Sequence, residues 1–348
     1  MNQTFCKFRV GLTRDFLNER DELEFKDIGL SLLDTSPRIL YEFLAERATV
    51  IRPEQVRDYD GIITFWPSYN RESFVGVERL LGIALFGVGY DHVDIEACTD
   101  SGVALFNTAG AVDRPVAEAI LTLMLSLSHY LLQKDRIARS GRWDSITHWM
   151  GSELRDKIVG TVGFGGIAQE LCRLLTSFRV KQFLAYDPLI PPDEARAAGA
   201  ELCSLDSLLQ SSDFVTINCP LSAKTRNLIT RRELSLMKPT AFLINTARGA
   251  IVNEQDLYQA LSEKRIRGAG IDVFSQEPLP ASSPLLTLDN VIVTPHGLAW
   301  TDELFRDMGT MACQGMLRLA HGEVPDNVVN TQVLKKRSFQ KKLDRFRR

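Results

Sequence analysis

The sequence predicts an α/β chain of two doubly wound parallel-sheet domains, the second inserted into a discontinuous first. Three observations carry this. From Asn107 to about His296, apolar β-branched runs alternate with stretches of helical period, the rhythm of a parallel sheet covered on both faces. At KIVGTVGFGGIAQELCRLL, the run Ile158 to Val162 meets Gly163, Gly165 and Ala168 in G-x-G-x-x-A spacing and passes directly into a helical apolar pattern. Four further strand-like runs precede this region, and one long helical pattern follows it.

In the first domain FRVGLTRD, DGIITFW, LGIALFG and GVALFNT read as strands, separated by helical stretches such as SPRILYEFLAER and HVDIEACTDSG. The segment Asp113 to Ser140 opens with an acid and Pro115, both suited to a helix start, stays apolar for several turns, and is expected to link the domains. Six strands follow, IVGTVG, QFLAYD, DFVTINC, AFLINTA, GAGIDVF and NVIVTPH, with PLSAKT as a loop after the third. The stretch NEQDLYQALSEK reads as a helix with Asn253 as its N-cap. After Trp300, TDELFRDMGTMACQGMLRLAHG reads as a helix that returns to the first domain. The expected boundaries are residues 1–106 with 300–331 for the first domain, 107–299 for the inserted domain, and 332–348 for a tail.

A length of 348 residues, 45% hydrophobic with net charge −3, suits a soluble chain of about two domains. No basic N-terminal segment with an apolar stretch suggests secretion, and the most apolar segment, Ala119 to Leu132, is too short to span a bilayer. Cys6, Cys98, Cys172, Cys203, Cys219 and Cys313 form no C-x-x-C pair, which argues against structural zinc or a disulfide framework and for a reducing, cytoplasmic compartment. The tail KKRSFQKKLDRFRR carries eight basic residues against one acid, and no aromatic-interleaved basic surface accompanies it. It reads as a solvated, partly disordered C-terminus rather than a contact for nucleic acid or an acidic partner.

The glycine spacing has a physical reading as a Rossmann-like dinucleotide site. Gly163 permits the tight turn, Gly165 lets backbone approach a pyrophosphate, and the small Ala168 packs helix against strand, leaving the helix N-terminus to bind the anion. The next strand, KQFLAYDPLI, ends in Asp187, at the distance where such a fold places the acid that bonds the ribose hydroxyls. Asp187 would repel a 2′-phosphate and no arginine follows at once, so NAD is favoured over NADP.

Three later blocks, INTARGAIV, GIDVFSQEPL and VTPHGLAW, each run from strand into loop and carry Arg248, Glu277 and His296. An arginine fork can hold the carboxylate and carbonyl of a 2-oxo acid, a histidine can carry the proton, and a buried carboxylate can keep that histidine protonated near neutral pH. Against these stand an exposed salt bridge for Arg248, a helix or loop acid for Glu277 and a structural role for His296. Asp272, an acid at the end of an apolar strand, needs hydrogen bonds; the nicotinamide carboxamide is one donor, and a neighbouring loop is the alternative. In the first domain the turn at Val88 and Gly89 offers backbone N–H groups to a carboxylate or is a plain glycine turn. Phe65, Trp66 and Tyr69 shape a substrate pocket or pack a boundary. His92, His129, His148 and His321 have no partner at metal-site spacing, and no metal is expected.

Together the blocks GVGYDHVD, PVAEAILTLML, VGTVGFGGIA, YDP, VTINCPLSAKT, LINTARG, GIDVFSQEPL and TPHGLAW resemble the D-isomer-specific 2-hydroxyacid dehydrogenase family, in its order, from about Gly82 to Val329. The resemblance implies NAD-linked interconversion of a D-2-hydroxy acid and its 2-oxo acid, with Arg248, Glu277 and His296 catalytic. It also implies Gly166 and Ile167 on the pyrophosphate, Cys219 and Pro220 near the adenine, and Thr246, Ala247 and Asp272 near the nicotinamide. Pro188, Thr225 and Gly297 complete the expected cofactor set, and Trp66 joins Val88, Gly89 and Arg248 as the substrate set. A homodimer built on the cofactor domains is implied as well. Ala168 replaces the usual third glycine, and Gly-Leu-Ala-Trp after His296 differs from the Ile-Gly-Gly or Ile-Gly-Ser of many phosphoglycerate and glyoxylate enzymes. A non-catalytic NAD sensor of the co-repressor type resembles the same family and is the alternative; formate dehydrogenase resembles it with glutamine at Glu277. Phe65 and Trp66 weigh against a phosphorylated substrate, for which Arg71 is the nearby basic residue.

Overall fold

The computed structural model describes residues 7–347, so Cys6 and Arg348 lie outside the described residues. The chain divides into two compact units, Met1–Val112 with Trp300–Arg348 and Asp113–Ala299. The inserted unit thus begins at Asp113 rather than Asn107, and the first unit keeps the C-terminal segment to its end.

The first unit holds a five-stranded parallel sheet, β1 (Phe8–Leu12), β2 (Ile39–Phe43), β3 (Gly61–Thr64), β4 (Gly82–Leu85) and β5 (Ala104–Phe106), in the order β2-β1-β3-β4-β5. Strand β2 corrects the helical expectation for SPRILYEFLAER. Ile39, Tyr41 and Phe43 turn inward while Leu40 and Glu42 are exposed, a period of two, and the run pairs with β1 from Phe8↔Ile39 to Leu12↔Phe43. Tertiary pairing decides a short apolar run that periodicity leaves ambiguous.

The tail also departs from expectation. Residues Arg337–Leu343 form a helix, and Phe339, Leu343 and Phe346, spaced four and three apart, are buried together with Val333. Phe346 packs edge-on against Phe8 at 5.0 Å, and the Lys342 Nζ donates to the carbonyls of Leu80 and Ser101, each at 2.8 Å. Burial, reinforced by the Arg345 charge, pushes the Lys342 ammonium down to about 8. Arg345 and Arg79 both pair with the fully buried Asp60. The apolar face docks the segment, and much of its charge is matched locally.

The second unit holds a seven-stranded parallel sheet: β6 (Ile158–Val162), β7 (Gln182–Tyr186), β8 (Glu201–Leu202), β9 (Phe214–Ile217), β10 (Phe242–Asn245), β11 (Gly268–Ile271) and β12 (Val291–Val293), in the order β12-β11-β10-β9-β6-β7-β8. Six were expected; β8 is a two-residue edge strand on β7, too short to leave a pattern. Its central strands are buried throughout because both faces are covered: in β9, Phe214 belongs to one apolar core and Val215 and Ile217 to the other. The long segment after Asp113 is two helices, Asp113–Ser128 and Leu131–Ser140, bent by 55°, with Tyr130 left-handed between them at φ 53°. The break lies where Ser152 N–H donates to the Ser128 carbonyl at 2.9 Å. Among the described residues no single helix is long and apolar enough to cross a membrane.

Replacing Phe339 with alanine is expected to destabilise the protein by about 3–5 kcal/mol, the cost of emptying a fully packed aromatic site. Urea unfolding would read this directly, and an unchanged midpoint would mean that the C-terminal segment is undocked in solution.

Candidate active site at the carboxyl edge of the second sheet

Strands β10, β11 and β12 lie side by side, with Asn245↔Ile271 and Ile271↔Val293 in register, so the loops that follow them leave one edge together. Arg248 follows β10, Asp272 and Glu277 follow β11, and His296 follows β12. The structure brings Glu277 and His296 into contact: His296 Nδ1 lies 2.8 Å from Glu277 Oε2. The other carboxylate oxygen accepts the Phe274 N–H at 2.8 Å. Glu277 is less buried than expected, with 34% of its side chain exposed. Desolvation still raises its pKa, but the His296 and Phe274 hydrogen bonds and the His296 and Arg248 charges outweigh it and hold the carboxyl below its ordinary range.

His296 adopts φ 52°, a left-handed conformation that costs a non-glycine residue about 1–3 kcal/mol unless its surroundings fix it. Asp272 fixes it. Its carbonyl accepts the His296 N–H at 2.7 Å, and its buried carboxylate accepts, at Oδ1, Thr294 Oγ1 (2.6 Å) and the N–H groups of Gly297 (3.2 Å) and Leu298 (3.3 Å). Of the two readings of Asp272, the loop cap is the one made by the chain itself.

Arg248 is held by its own backbone. Asn245 Nδ2 donates to the Arg248 carbonyl at 2.9 Å, Asn245 Oδ1 accepts from Ala247 N–H, and Arg248 Nη1 donates to the Ala247 carbonyl at 2.8 Å. A Cβ at Gly249 would collide with the Phe274 backbone, so glycine is what lets the Arg248 loop lie against the segment that presents Glu277. The sequence reading missed Asn245; its signal was a polar residue ending the apolar strand FLIN.

The cofactor candidates gather at the same edge of β6, β7 and β9. Gly163 has φ 94°, and a Cβ there would come within 2.6 Å of the Cys219 nitrogen. Ala168 is fully buried in the helix Gly166–Leu175, which is why the third small residue need not be glycine. Among the described residues nothing accepts from the N–H groups of Gly166 and Ile167, and a Cβ on the exposed Gly165 would meet nothing within 4 Å. Asp187 accepts Phe164 N–H and Leu189 N–H, one on each oxygen, both at 2.9 Å, which fixes the turn containing Pro188. Burial pushes the Cys219 thiol up to about 11. Thr225 Oγ1 donates to the Pro220 carbonyl and accepts from Ser222 N–H, shaping that loop, whereas the buried Thr246 Oγ1 has no partner among the described residues. An open helix N-terminus, a ribose-type acid and an orphaned hydroxyl fit a dinucleotide. Asp113 was also missed: its carboxylate lies against Gly166, raised by burial and by the Glu170 charge. Among the described residues no three His, Cys, Asp or Glu side chains could hold a metal ion.

The remaining candidates belong to the first unit. After β4, Gly87 turns at φ 130°, its N–H donates to Thr108 Oγ1 (2.9 Å), and Asn107 Nδ2 donates to the Val88 carbonyl (3.0 Å). The N–H groups of Val88 and Gly89 donate to nothing among the described residues. Trp66 is 49% exposed, whereas Tyr69 is 2% exposed and packs in the core, which rules it out as a lining residue.

Residues 121–297 match the family model described as D-isomer specific 2-hydroxyacid dehydrogenase, NAD binding domain. The chain is 34% identical to a glyoxylate reductase of Korarchaeum cryptofilum, over 90% of this chain and 96% of that one. It is 37% identical to a D-3-phosphoglycerate dehydrogenase of Methanocaldococcus jannaschii over 80% of this chain, and it spans about half, 53%, of that longer protein. A crystal structure of a glyoxylate reductase from Paecilomyes thermophila superposes with a TM-score of 0.79 at 26% identity, covering 94% of this chain and 99% of that one.

Gly249→Ala should destabilise the protein by roughly 1–3 kcal/mol, the usual cost of overpacking, because the atoms it meets are backbone. Thermal unfolding at wild-type temperature would show that the Arg248 and Phe274 segments are not in contact.

Proposed function

The chain belongs to the D-isomer specific 2-hydroxyacid dehydrogenase family, and we propose that it interconverts a D-2-hydroxy acid and its 2-oxo acid with Arg248, Glu277 and His296 as the catalytic set. The contact of His296 with Glu277 at 2.8 Å, beside the exit of Arg248 from the neighbouring strands, carries the proposal. The cofactor is NAD, which when bound supplies the hydride to the carbonyl carbon and takes it back in the reverse direction.

The protein's part is orientation and proton transfer. The Arg248 fork binds the substrate carboxylate and carbonyl, a geometry that lysine cannot duplicate. The N–H groups of Val88 and Gly89, which donate to nothing among the described residues, are further donors for the carboxylate. With Nδ1 held by Glu277, His296 donates from Nε2 to the carbonyl oxygen as it becomes an alkoxide, and recovers that proton in the oxidation. Gly166 and Ile167 would hold the pyrophosphate, Asp187 the ribose, Pro188, Cys219, Pro220 and Thr225 the adenosine end, and Thr246, Ala247, Gly297 and the second Asp272 oxygen the nicotinamide. Asp187 favours NAD over NADP because its charge opposes a 2′-phosphate. Exposed Leu131, Trp143 and Met150 support a homodimer through this unit, and five unpaired cysteines among the described residues support a reducing, cytoplasmic setting. Nothing in the fold, the site or the relatives described above supports a non-catalytic NAD sensor.

Following NADH absorbance with a panel of 2-oxo acids tests the reading, and His296→Ala is expected to lower the rate about 10²- to 10⁴-fold; a smaller loss would assign the proton to water. Glu277→Gln should lower the pH at which reduction fades. The Glu277 carboxylate lies 2.8 Å from His296 Nδ1, and a neutral amide removes that negative charge from beside the ring. An unaltered rate profile between the two proteins would break the pairing.

A further inference from the structure

We propose that the substrate carries a bulky, uncharged side chain, aromatic or branched aliphatic, that packs on Trp66 and Trp300. The proposal rests on the dehydrogenase reading and names its substrate class. Strands β3 and β4 run parallel with Thr64 opposite Leu85, and Phe86 N–H donates to the Thr64 carbonyl at 2.8 Å. Phe65 and Trp66 therefore leave the sheet beside Phe86 and Gly87, directly before the Val88 and Gly89 N–H groups assigned to the substrate carboxylate. Whatever is joined to that carboxylate lies next to this aromatic loop.

The loop is part of a ring cluster. Phe65 has Trp66 at 4.5 Å, Phe86 at 5.9 Å and Trp300 at 6.1 Å between centroids, and Phe305 backs Trp300 edge-on at 5.3 Å. Phe86 and Phe305 are 4% exposed, but Trp66 and Trp300, 6.4 Å apart, keep 49% and 44% of their surface open. A buried aromatic base thus fixes two indoles that still have apolar area to cover. Trp300 also follows His296 by only four residues.

Charge points the same way. Asp15 Oδ2 accepts the backbone N–H of Trp66 at 2.8 Å, so a phosphate or second carboxylate brought to this loop would approach a carboxylate. The basic side chains of the flanking segments are already paired, Arg71 with Asp100 and Lys26 with Asp302. Glyoxylate, with hydrogen as its side chain, would leave both indoles in water. The substrate class therefore differs from those in the names of the glyoxylate and phosphoglycerate relatives.

The test is kcat/KM of the full chain with NADH for phenylpyruvate, 4-methyl-2-oxopentanoate, glyoxylate and phosphohydroxypyruvate. A single methylene in an apolar pocket is worth roughly 10- to 200-fold, so phenylpyruvate or the branched acid should exceed glyoxylate by about 10²-fold or more. Trp66→Ala and Trp300→Ala should each reduce the phenylpyruvate-to-glyoxylate ratio about tenfold, with Trp66→Phe restoring much of it. Preference of the wild type for glyoxylate or phosphohydroxypyruvate overturns the proposal while leaving the dehydrogenase standing, as do tryptophan variants that lower both substrates equally. NADH binding without turnover on any acid overturns the dehydrogenase reading and this inference with it.

Discussion

The buried carboxylate of Asp272 is the constraint on which the candidate site depends. An acid that is 4% exposed at the end of an apolar strand is costly unless hydrogen bonds replace its water, and here one oxygen takes three donors while the backbone carbonyl takes a fourth. Bonds to a charged acceptor contribute about 1.5–3 kcal/mol each, enough to offset the left-handed His296 backbone. The same carboxylate thus satisfies its own burial and sets the direction in which the histidine leaves the sheet. Remove the charge and both the donors and the turn lose their anchor, so the acid at this position is structural before any ligand is considered.

The rest follows from strand adjacency. Arg248, Glu277 and His296 leave one edge together because β10, β11 and β12 are neighbours in register, and a parallel sheet puts all its carboxyl ends on one edge. Fine positioning then falls to a few contacts. Asn245 ties the Arg248 carbonyl, Phe274 N–H holds Glu277, and Gly249 permits the closest approach of their two loops. The partial exposure of Glu277 tempers its electrostatic weight, since water screens a pair that is about one third open. Its contribution is therefore geometric as much as electrostatic: it commits one ring nitrogen, Nδ1, to the carboxylate.

Much of this was legible in the sequence because the chemistry sits at transitions that sequence records well, where an apolar run stops and a glycine or proline turn begins. Gly163, Arg248 with Gly249, and His296 after Pro295 all announce such a transition. Asp272 was recognisable as a buried acid, although the sequence could not say whether a ligand or its own loop would satisfy it. Asp113 gave no signal, since a first-turn acid is ordinary at a helix start, and only the fold sets it against Gly166. Strand β2 and the break at Tyr130 escaped for a shared reason: in both, a contact made by distant chain, with β1 in one case and with Ser152 in the other, overrides the local period.

The C-terminal segment shows the converse error, in which one strong local signal hides another. Its charge is conspicuous and suggests solvation, yet Phe339, Leu343 and Phe346 recur at helical spacing among the lysines and arginines. Charge says which face meets water; it does not say that the segment lacks a second face. An amphipathic helix needs only one apolar stripe to dock, and here three apolar side chains enter the core while Lys342 donates to the carbonyls of Leu80 and Ser101 and Arg345 joins Arg79 on Asp60. Net charge is the wrong quantity for deciding order in such a segment, and the periodicity of its few apolar residues is the right one.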